Sequence, residues 1–595
     1  MRLSTIFTHY CAWVNLLCIQ GLVVLAFNTA YTTLRSRNFR DNSAHKFSAT
    51  NTNAVLELGD EIDINAASSE RKFLILQEVD KLLPNNPMVT EDILAKISCY
   101  VAKDVQWTKE SPLPFESGRN HYGVKPNQLA VEYEPVTVGI ASSEASVSTI
   151  ALRTKPSTPL LSPNEIAFLR EAVETYWRHM ASTENDGDSS SKSRFTYQRR
   201  GNSEAHLSDV VQYYEQMKKG EKEQLQLSAL VEKLLLDRVY PWIRDAFLSE
   251  EDESIYSDDL SLYVYDSLFI RYNATEAEKI GAGQPLHRDL GYVSINLMLN
   301  SQDDFDGGGT FFENQLTPVV MNGGVGASNN DIHPLKPHSP GHAIAHYSSS
   351  RHAGAATFEG VRDILVLFVA AATDGTPPKW EVAARLKSAA RVYCSDVNSI
   401  DEQLICRVRH HRLALEQMPE DGEAYHYLGM ALLDYHQYYL DAQGCRNDSL
   451  LTLAISCLEE ATTHTPCDGR LQNNLGLARE RLVECLESDN AENESMIADL
   501  RGQVVAAFKR SIQIHSLSKQ LGCDVNVDYE SACLNYGLYL SKLDDFQSAI
   551  RILSDVASNY DEVEDMTSSE NSEDARRRVQ RDASNLLSFC EMQIQ

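Results

Sequence analysis

The chain has 595 residues, too many for one hydrophobic core, so two to four domains are expected. Its apolar fraction of 43% is that of a folded protein, and 84 acidic against 54 basic residues leave a net charge of -30. That balance argues against a general nucleic-acid binder and fits a solubilising acidic surface.

The first feature in chain order is the apolar run from Cys11 to Phe27 (CAWVNLLCIQGLVVLAF), with Arg2 before it and Arg35, Arg37 and Arg40 after. It is marginal for a bilayer span and long for a signal-peptide core, while Val24 and Ala26 suit a cleavage site. Basic residues beyond the run disfavour an anchor whose C-terminal part lies in the lumen. Residues 1–27 therefore read as a secretory signal first and an uncleaved signal anchor second. The expected location is the secretory pathway, in the lumen or membrane of the endoplasmic reticulum. Residues 27–55 are rich in Ser, Thr, Asn and Arg with only Asp41 acidic, which resembles a transit peptide exposed after signal cleavage. Plastid import by a bipartite presequence is thus an alternative.

Residues 28–157 read as a linker and small helical region, with a helical pattern at Phe73, Leu74, Leu76 and Val79. A helix follows Ser162-Pro163, a cap and first-turn proline, and runs through Ile166, Leu169, Val173 and Trp177. Residues 181–206 form a polar loop or disordered insertion, and 208–248 an amphipathic helix. From residue 261 the period changes to that of strands, most cleanly where Val293, Ile295, Leu297 and Leu299 share one face. GGGTFFE (307–313), GHAIAHYS (341–348) and RDILVLFVAA (362–371) continue a run of short strands without helices between them. That pattern predicts an antiparallel sandwich or barrel.

After residue 380 the pattern is helical, and small residues recur at matching offsets. Tyr425, Leu428, Gly429 and Leu432 are answered by Ala454, Leu458 and Ala461. Leu475 and Gly476 are answered by Val504, Phe508 and Ser511, and Tyr536, Gly537 and Leu540 by Ala549, Leu553 and Val556. These positions, over 400–560, resemble the tetratricopeptide repeat; an unrelated helical bundle is the alternative. Residues 561–595 read as a charged tail, loose over 561–580. Nine of the twelve cysteines follow residue 390, mostly in predicted helices, where Cys acts as a small apolar residue; no C-x-x-C pair occurs.

The chemistry is carried by His287-Arg288-Asp289. On extended chain residues i and i+2 point the same way, so His287 and Asp289 can hold one ion. Two imidazoles and a carboxylate cover one face of Fe(II) and leave three positions open for O2 activation. The remaining ligand must come from His333, His338, His342, His346 or His352. His352 is favoured because it follows a strand and precedes Arg362 by ten residues across a Gly-containing turn, which places the two on neighbouring strands. Arg362 is then a fixed cation suited to pairing with a carboxylate; a surface salt bridge is its alternative.

Residues 158–372 resemble the catalytic domain of prolyl 4-hydroxylase-type 2-oxoglutarate/Fe(II)-dependent dioxygenases. The resemblance is carried by H-R-D (287–289), L-N (299–300), G-G-G-T-F-F (307–312), K-P-H-S-P-G (336–341) and the spacing from His352 to Arg362. It implies a double-stranded β-helix (jelly roll) with flanking helices, an α+β multidomain chain that ends in an all-α solenoid. It makes His287, Asp289 and His352 the iron ligands and Arg362 the partner of the distal 2-oxoglutarate carboxylate, where collagen-type enzymes commonly have Lys. Tyr272, in F-I-R-Y, resembles the tyrosine lining the co-substrate pocket; core packing is its alternative. The implied reaction consumes O2 and 2-oxoglutarate and hydroxylates an unactivated C–H bond, with ascorbate as a reductant. Prolyl residues of a protein are the first expectation for the substrate, held by the helical repeats. Lysyl residues, a small molecule, or an adaptor role with an inactive oxygenase domain are the alternatives. No nucleic-acid partner is expected, and the N-terminal run allows membrane attachment.

Overall fold

The computed structural model describes residues 68–83, 131–139, 147–183, 202–217, 226–247, 261–277, 282–284, 286–289, 291–316, 333–372, 379–392, 400–443, 447–488, 494–520, 528–557 and 570–594. The N-terminal apolar run and the Ser-, Thr- and Arg-rich residues after it lie outside them. Among the described residues no helix is long and apolar enough to cross a membrane.

The chain is a mixed α+β protein with an antiparallel sheet and a C-terminal helical region. Helix α1 (Ser68–Leu82) precedes strands β1 (Tyr133–Gly139) and β2 (Val147–Thr154). Helices α2 (Pro163–Thr183), α3 (Leu207–Met217), α4 (Leu227–Leu234) and α5 (Tyr240–Phe247) surround β3 (Asn202–His206) in sequence. The strands β4 (Ser261–Asn273), β5 (Val293–Met298), β6 (Phe305–Gly307), β7 (Thr310–Phe312), β8 (Ala343–Tyr347), β9 (His352–Gly354) and β10 (Thr357–Ala372) follow. The main sheet has the order β1-β2-β8-β5-β10-β4-β3, with β6 also paired to β10; β7 and β9 form a separate two-stranded sheet. Every pairing is antiparallel.

This organisation differs from the expectation at both ends. β1 and β2 belong to the sheet, although they lie in the stretch read as a linker and small helical region. Residues Glu570–Ile594 form a helix with an apolar stripe, packed on the helices before it, where a charged tail, loose as far as residue 580, was expected.

Alternation along the strands sorts the two faces of the main sheet. Val293, Ile295, Leu297, Ala343, Ala345, Leu365, Leu367 and Val369 join one core with Ile166, Leu169, Tyr240 and Trp242 of the covering helices. Glu165 anchors that layer. It closes a capping box with Ser162 at the start of α2 and takes both terminal nitrogens of Arg238, at 2.8 and 3.0 Å. The opposite face carries Ser294, Asn296, His346, Ile364 and Val366. There Phe312 of the small sheet packs with Ile150, Ala151 and Ile344. All six residues of β5 are buried because both its faces are covered.

The helical region runs through α6 (Lys379–Val392), α7 (Ile400–Gln417), α8 (Gly422–Gln443), α9 (Asp448–His464), α10 (Gly469–Ser488), α11 (Glu494–Gln520), α12 (Asp528–Lys542), α13 (Phe546–Ala557) and α14 (Glu570–Ile594). The three recurring glycines sit where successive helices meet. A Cβ would lie 2.8 Å from Leu458 at Gly429, 2.9 Å from Phe508 at Gly476 and 2.8 Å from Leu553 at Gly537. Each pair therefore approaches at a distance that only glycine allows, with a large apolar side chain filling the notch.

Candidate functional site

The site lies between the two sheets. His287 and Asp289 are on an extended segment outside the named strands, held by backbone bonds. His287 exchanges two with His352, at 2.8 and 2.9 Å, and the Asp289 amide donates to the Ser348 carbonyl at 3.0 Å. This pairing brings β9 alongside the H-R-D segment, so the third histidine faces the first two ligands. His287 Nε2 lies 3.3 Å from Asp289 Oδ1, and His352 Nε2 lies 3.4 Å from Asp289 Oδ2. The candidate ligand atoms of all three residues lie within 4.8 Å of one another.

The other histidines are engaged elsewhere. His338 meets Glu134 at 3.1 Å, His342 bonds Ser339 and the Pro156 carbonyl, and His333 is exposed. His346 is the near miss: its ring centre is 4.3 Å from that of His352, but it donates from Nδ1 to the Tyr347 carbonyl and turns Nε2 to Asn296. His352 follows the same logic to a different end. Its Nδ1 faces the Ser350 carbonyl at 3.0 Å, which can only accept, so Nδ1 carries the proton and Nε2 presents a lone pair.

The electrostatics of the cluster suit a cation. Burial drives His352 down to about 3, so its imidazole is neutral. A neutral imidazole lone pair directed at a carboxylate is repulsive, and a divalent cation between them removes the repulsion. The donor set of two nitrogens and one oxygen therefore fits a ferrous ion.

Arg362 stands on β10, opposite Tyr272 of β4 in the strand register, with its guanidinium 5.1 Å from the centre of that ring. It is 3% exposed, and its Nη1 has no hydrogen-bond partner among the described residues. Burial pulls its pKa down, against the influence of Tyr272. Asn296, Met298, Phe305, Gly309, Lys336, Pro337, Arg362 and Ile364 line a small pocket, and none of these residues is acidic. A Cβ at Gly308 would sit 2.8 Å from Arg362 Cδ, so this glycine, with φ +66°, lets the backbone pass beside the arginine. The unpartnered Nη1 and the acid-free pocket fit one carboxylate of a small anion.

His287, Asp289 and His352 thus come together, while Arg362 and Tyr272 form an adjoining wall. One detail differs from the expectation: β9 pairs with β7 and not with β10, so His352 and Arg362 lie on consecutive strands of different sheets. Sequence reasoning passed over Lys336, although K-P opens one of the motifs quoted above. It also passed over Arg288 and Arg351, each adjacent to a ligand. Both reach acidic residues of the helical region.

No family model matches the chain, and no curated protein matches it in sequence. Solved structures with which it aligns include an oxidoreductase of the 2OG-Fe(II) oxygenase family from Burkholderia pseudomallei, at 16% identity and a TM-score of 0.16. That match covers 25% of this chain and 60% of the other. AviO1 from Streptomyces viridochromogenes Tue57 aligns at 15% identity and a TM-score of 0.20, covering 37% and 89% of the two chains. EvdO2 from Micromonospora carbonacea var. aurantiaca aligns at 17% identity and a TM-score of 0.15, covering 31% and 91%.

Proposed function

We propose that the protein is an iron(II)- and 2-oxoglutarate-dependent dioxygenase that hydroxylates an unactivated C–H bond. The observation that carries this reading is the convergence of His287, Asp289 and His352 within 4.8 Å beside a buried arginine whose Nη1 lacks a partner. In this reading the three residues hold the iron and Arg362 pairs with the distal carboxylate of 2-oxoglutarate. When bound, the pair supplies O2 activation coupled to decarboxylation of the co-substrate. The chain's own contributions are specific. Ser350 fixes the His352 tautomer, Tyr272 braces the Arg362 guanidinium, and the apolar wall of Met298, Phe305 and Ile364 excludes water from the carboxylate pair. Lys336 adds a second positive charge to the same pocket.

The double-stranded β-helix is the fold we assign to the two sheets. The substrate we favour is a prolyl residue of a protein, with lysyl residues or a small molecule as the other readings. Stacked helix pairs of tetratricopeptide type would offer a concave surface to an extended peptide. An adaptor with an inactive oxygenase domain is disfavoured by a metal-ligand set and arginine that are all present and placed together. Ascorbate as reductant and a place in the secretory pathway or a plastid belong to the same proposal.

The test is Fe(II)- and 2-oxoglutarate-dependent succinate release by the full chain with peptide substrates, against His287→Ala. Turnover that disappears in the variant is expected. Equal succinate from both proteins would end the enzyme reading.

A further inference from the structure

The metal ligands stand on weakly supported backbone. His287 and Asp289 lie outside the named strands, and His352 begins a strand of three residues. Beyond the backbone bonds already described, support reaches them from the helical region, through the two arginines next to the ligands. Arg288 separates His287 from Asp289, so on extended chain its side chain leaves the metal side. Its Nε donates to the Ser349 carbonyl at 2.9 Å, and its Nη1 reaches Glu423 at 3.3 Å. Glu423 is held in turn by Lys387 at 2.9 Å, which also bonds Asp421 at 2.6 Å. Asp421 caps α8, accepting the amides of Glu423 and Ala424.

The second arm has the same form. Arg351 precedes His352, pairs with Glu313 and reaches Asp468 Oδ1 at 3.1 Å. Asp468 caps α10 through the amides of Arg470 and Leu471, and the Arg470 guanidinium bonds it as well. The side chains of Arg351, Glu313 and Asp468 are 5%, 3% and 4% exposed, so water cannot replace a missing partner. An apolar seam runs beside both arms. Leu286, Phe311, Ala353 and Ala355 pack on Cys467, Ile514 and Leu517 of the helical region.

We propose that Glu423 and Asp468 are positioning residues of the metal site, orienting His287, Asp289 and His352 through Arg288 and Arg351. The helical region is then a structural part of the oxygenase centre and not only a peptide-binding appendage. This inference rests on the reading of the site as a metal centre. Loss of a partner behind a metal ligand typically weakens metal binding roughly 10- to 100-fold, which sets the expected effect.

The experiment is calorimetric titration of Mn(II), as an inert stand-in for Fe(II), into the full chain with 2-oxoglutarate present. The variants are Glu423→Gln, Glu423→Asp, Asp468→Asn, His287→Ala and Glu459→Gln. Asn still caps a helix, so Asp468→Asn removes the charge without unravelling α10. Glu459 is a matched control: it bridges Arg71 and Arg479 within the helical layer and touches neither arm. Weakening of about 10-fold or more is expected for Glu423→Gln and Asp468→Asn, partial recovery for Glu423→Asp, and no change for Glu459→Gln. Affinity within twofold of the parent in Glu423→Gln and Asp468→Asn, with binding lost in His287→Ala, would overturn the inference and leave the metal site standing. Equal weakening in Glu459→Gln would overturn it too, since general loosening then explains the effect. Mn(II) binding that His287→Ala does not alter would instead remove the metal centre itself.

Discussion

Arg362→Met is expected to stabilise the co-substrate-free protein while sharply weakening co-substrate binding. Arg362 is fully enclosed, and its Nη1 has no hydrogen-bond partner among the described residues. An unsatisfied buried donor costs about 1–3 kcal/mol, more when it is charged. Methionine matches the length of the apolar stem and removes that cost, but it also removes the cation–π contact with Tyr272, about 0.5–2 kcal/mol. The net gain is therefore of order 1 kcal/mol, or about 2–4 °C in Tm for a unit of roughly 200 residues. Binding moves the other way. Truncating one side of a buried, hydrogen-bonded charge pair costs about 2–5 kcal/mol, so 2-oxoglutarate affinity should fall by about 30- to 4,000-fold. The assay is a thermal melt with and without 2-oxoglutarate and Mn(II). At 100 times the parent's Kd the ligand should stabilise the parent protein by about 2.7 kcal/mol and the variant by about 0.9 kcal/mol at most. An Arg362→Met protein that melts lower than the parent and keeps its 2-oxoglutarate response would refute the reasoning, because the guanidinium would then be satisfied within the fold.

Lys336→Met should raise KM for 2-oxoglutarate about 3- to 30-fold with kcat nearly unchanged, since the lysine shares the pocket without reaching the metal ligands; steady-state succinate release decides it, and a fall in kcat at constant KM would contradict it. Asp289→Ala should lose the Mn(II)-dependent rise in Tm seen in the parent, and chelation should lower the parent's Tm to its metal-free value; a rise that persists in the variant would place the metal elsewhere. Gly476→Ala puts a Cβ 2.9 Å from the Phe508 ring, so overpacking of about 1–3 kcal/mol should outweigh the helix-propensity gain of about 1 kcal/mol. Denaturant unfolding reads the sign, and Phe508→Leu in the same chain should recover part of the loss. The Arg238 pair holds Glu165 down at about 2, against an unfolded value of 4.5, despite the opposing effect of burial. A depressed carboxylate contributes stability above its unfolded pKa and loses it as pH falls through the folded one, here between about pH 4.5 and 2. Glu165→Gln should accordingly cost about 1–2 kcal/mol at pH 7 and almost nothing near pH 2, as measured by urea midpoints.

Much of this architecture was legible in the residues because it depends on local periodicity. Alternation of Val293, Ile295 and Leu297 fixes which face of β5 meets the helices, and the i, i+2 geometry of H-R-D fixes that His287 and Asp289 point together. Gly429, Gly476 and Gly537 announce close helix contacts by recurring at the same offset before a large apolar residue. Elsewhere periodicity misled or was silent. β1 and β2 are short segments among polar residues, and what makes them strands is the edge of β8, to which β2 pairs. The last helix has too weak an apolar stripe to stand alone and forms by packing on α12 and α13.

The sequence by itself determined the kinds of atoms available: a paired His and Asp, a choice of five further histidines and a lone arginine on a strand. Tertiary structure decided among them. His346 and His352 are equally good ligands as side chains, and the difference is that His346 points its Nε2 to Asn296 while His352 is drawn beside His287 by a backbone bridge. Lys336 acquires meaning only because it lines one pocket with Arg362, and Arg288 and Arg351 only when the helical region presents Glu423 and Asp468 to them. Side-chain type and spacing are written within a few residues, but the partner of a buried charge is set by contacts between segments far apart in the chain, which no local pattern encodes.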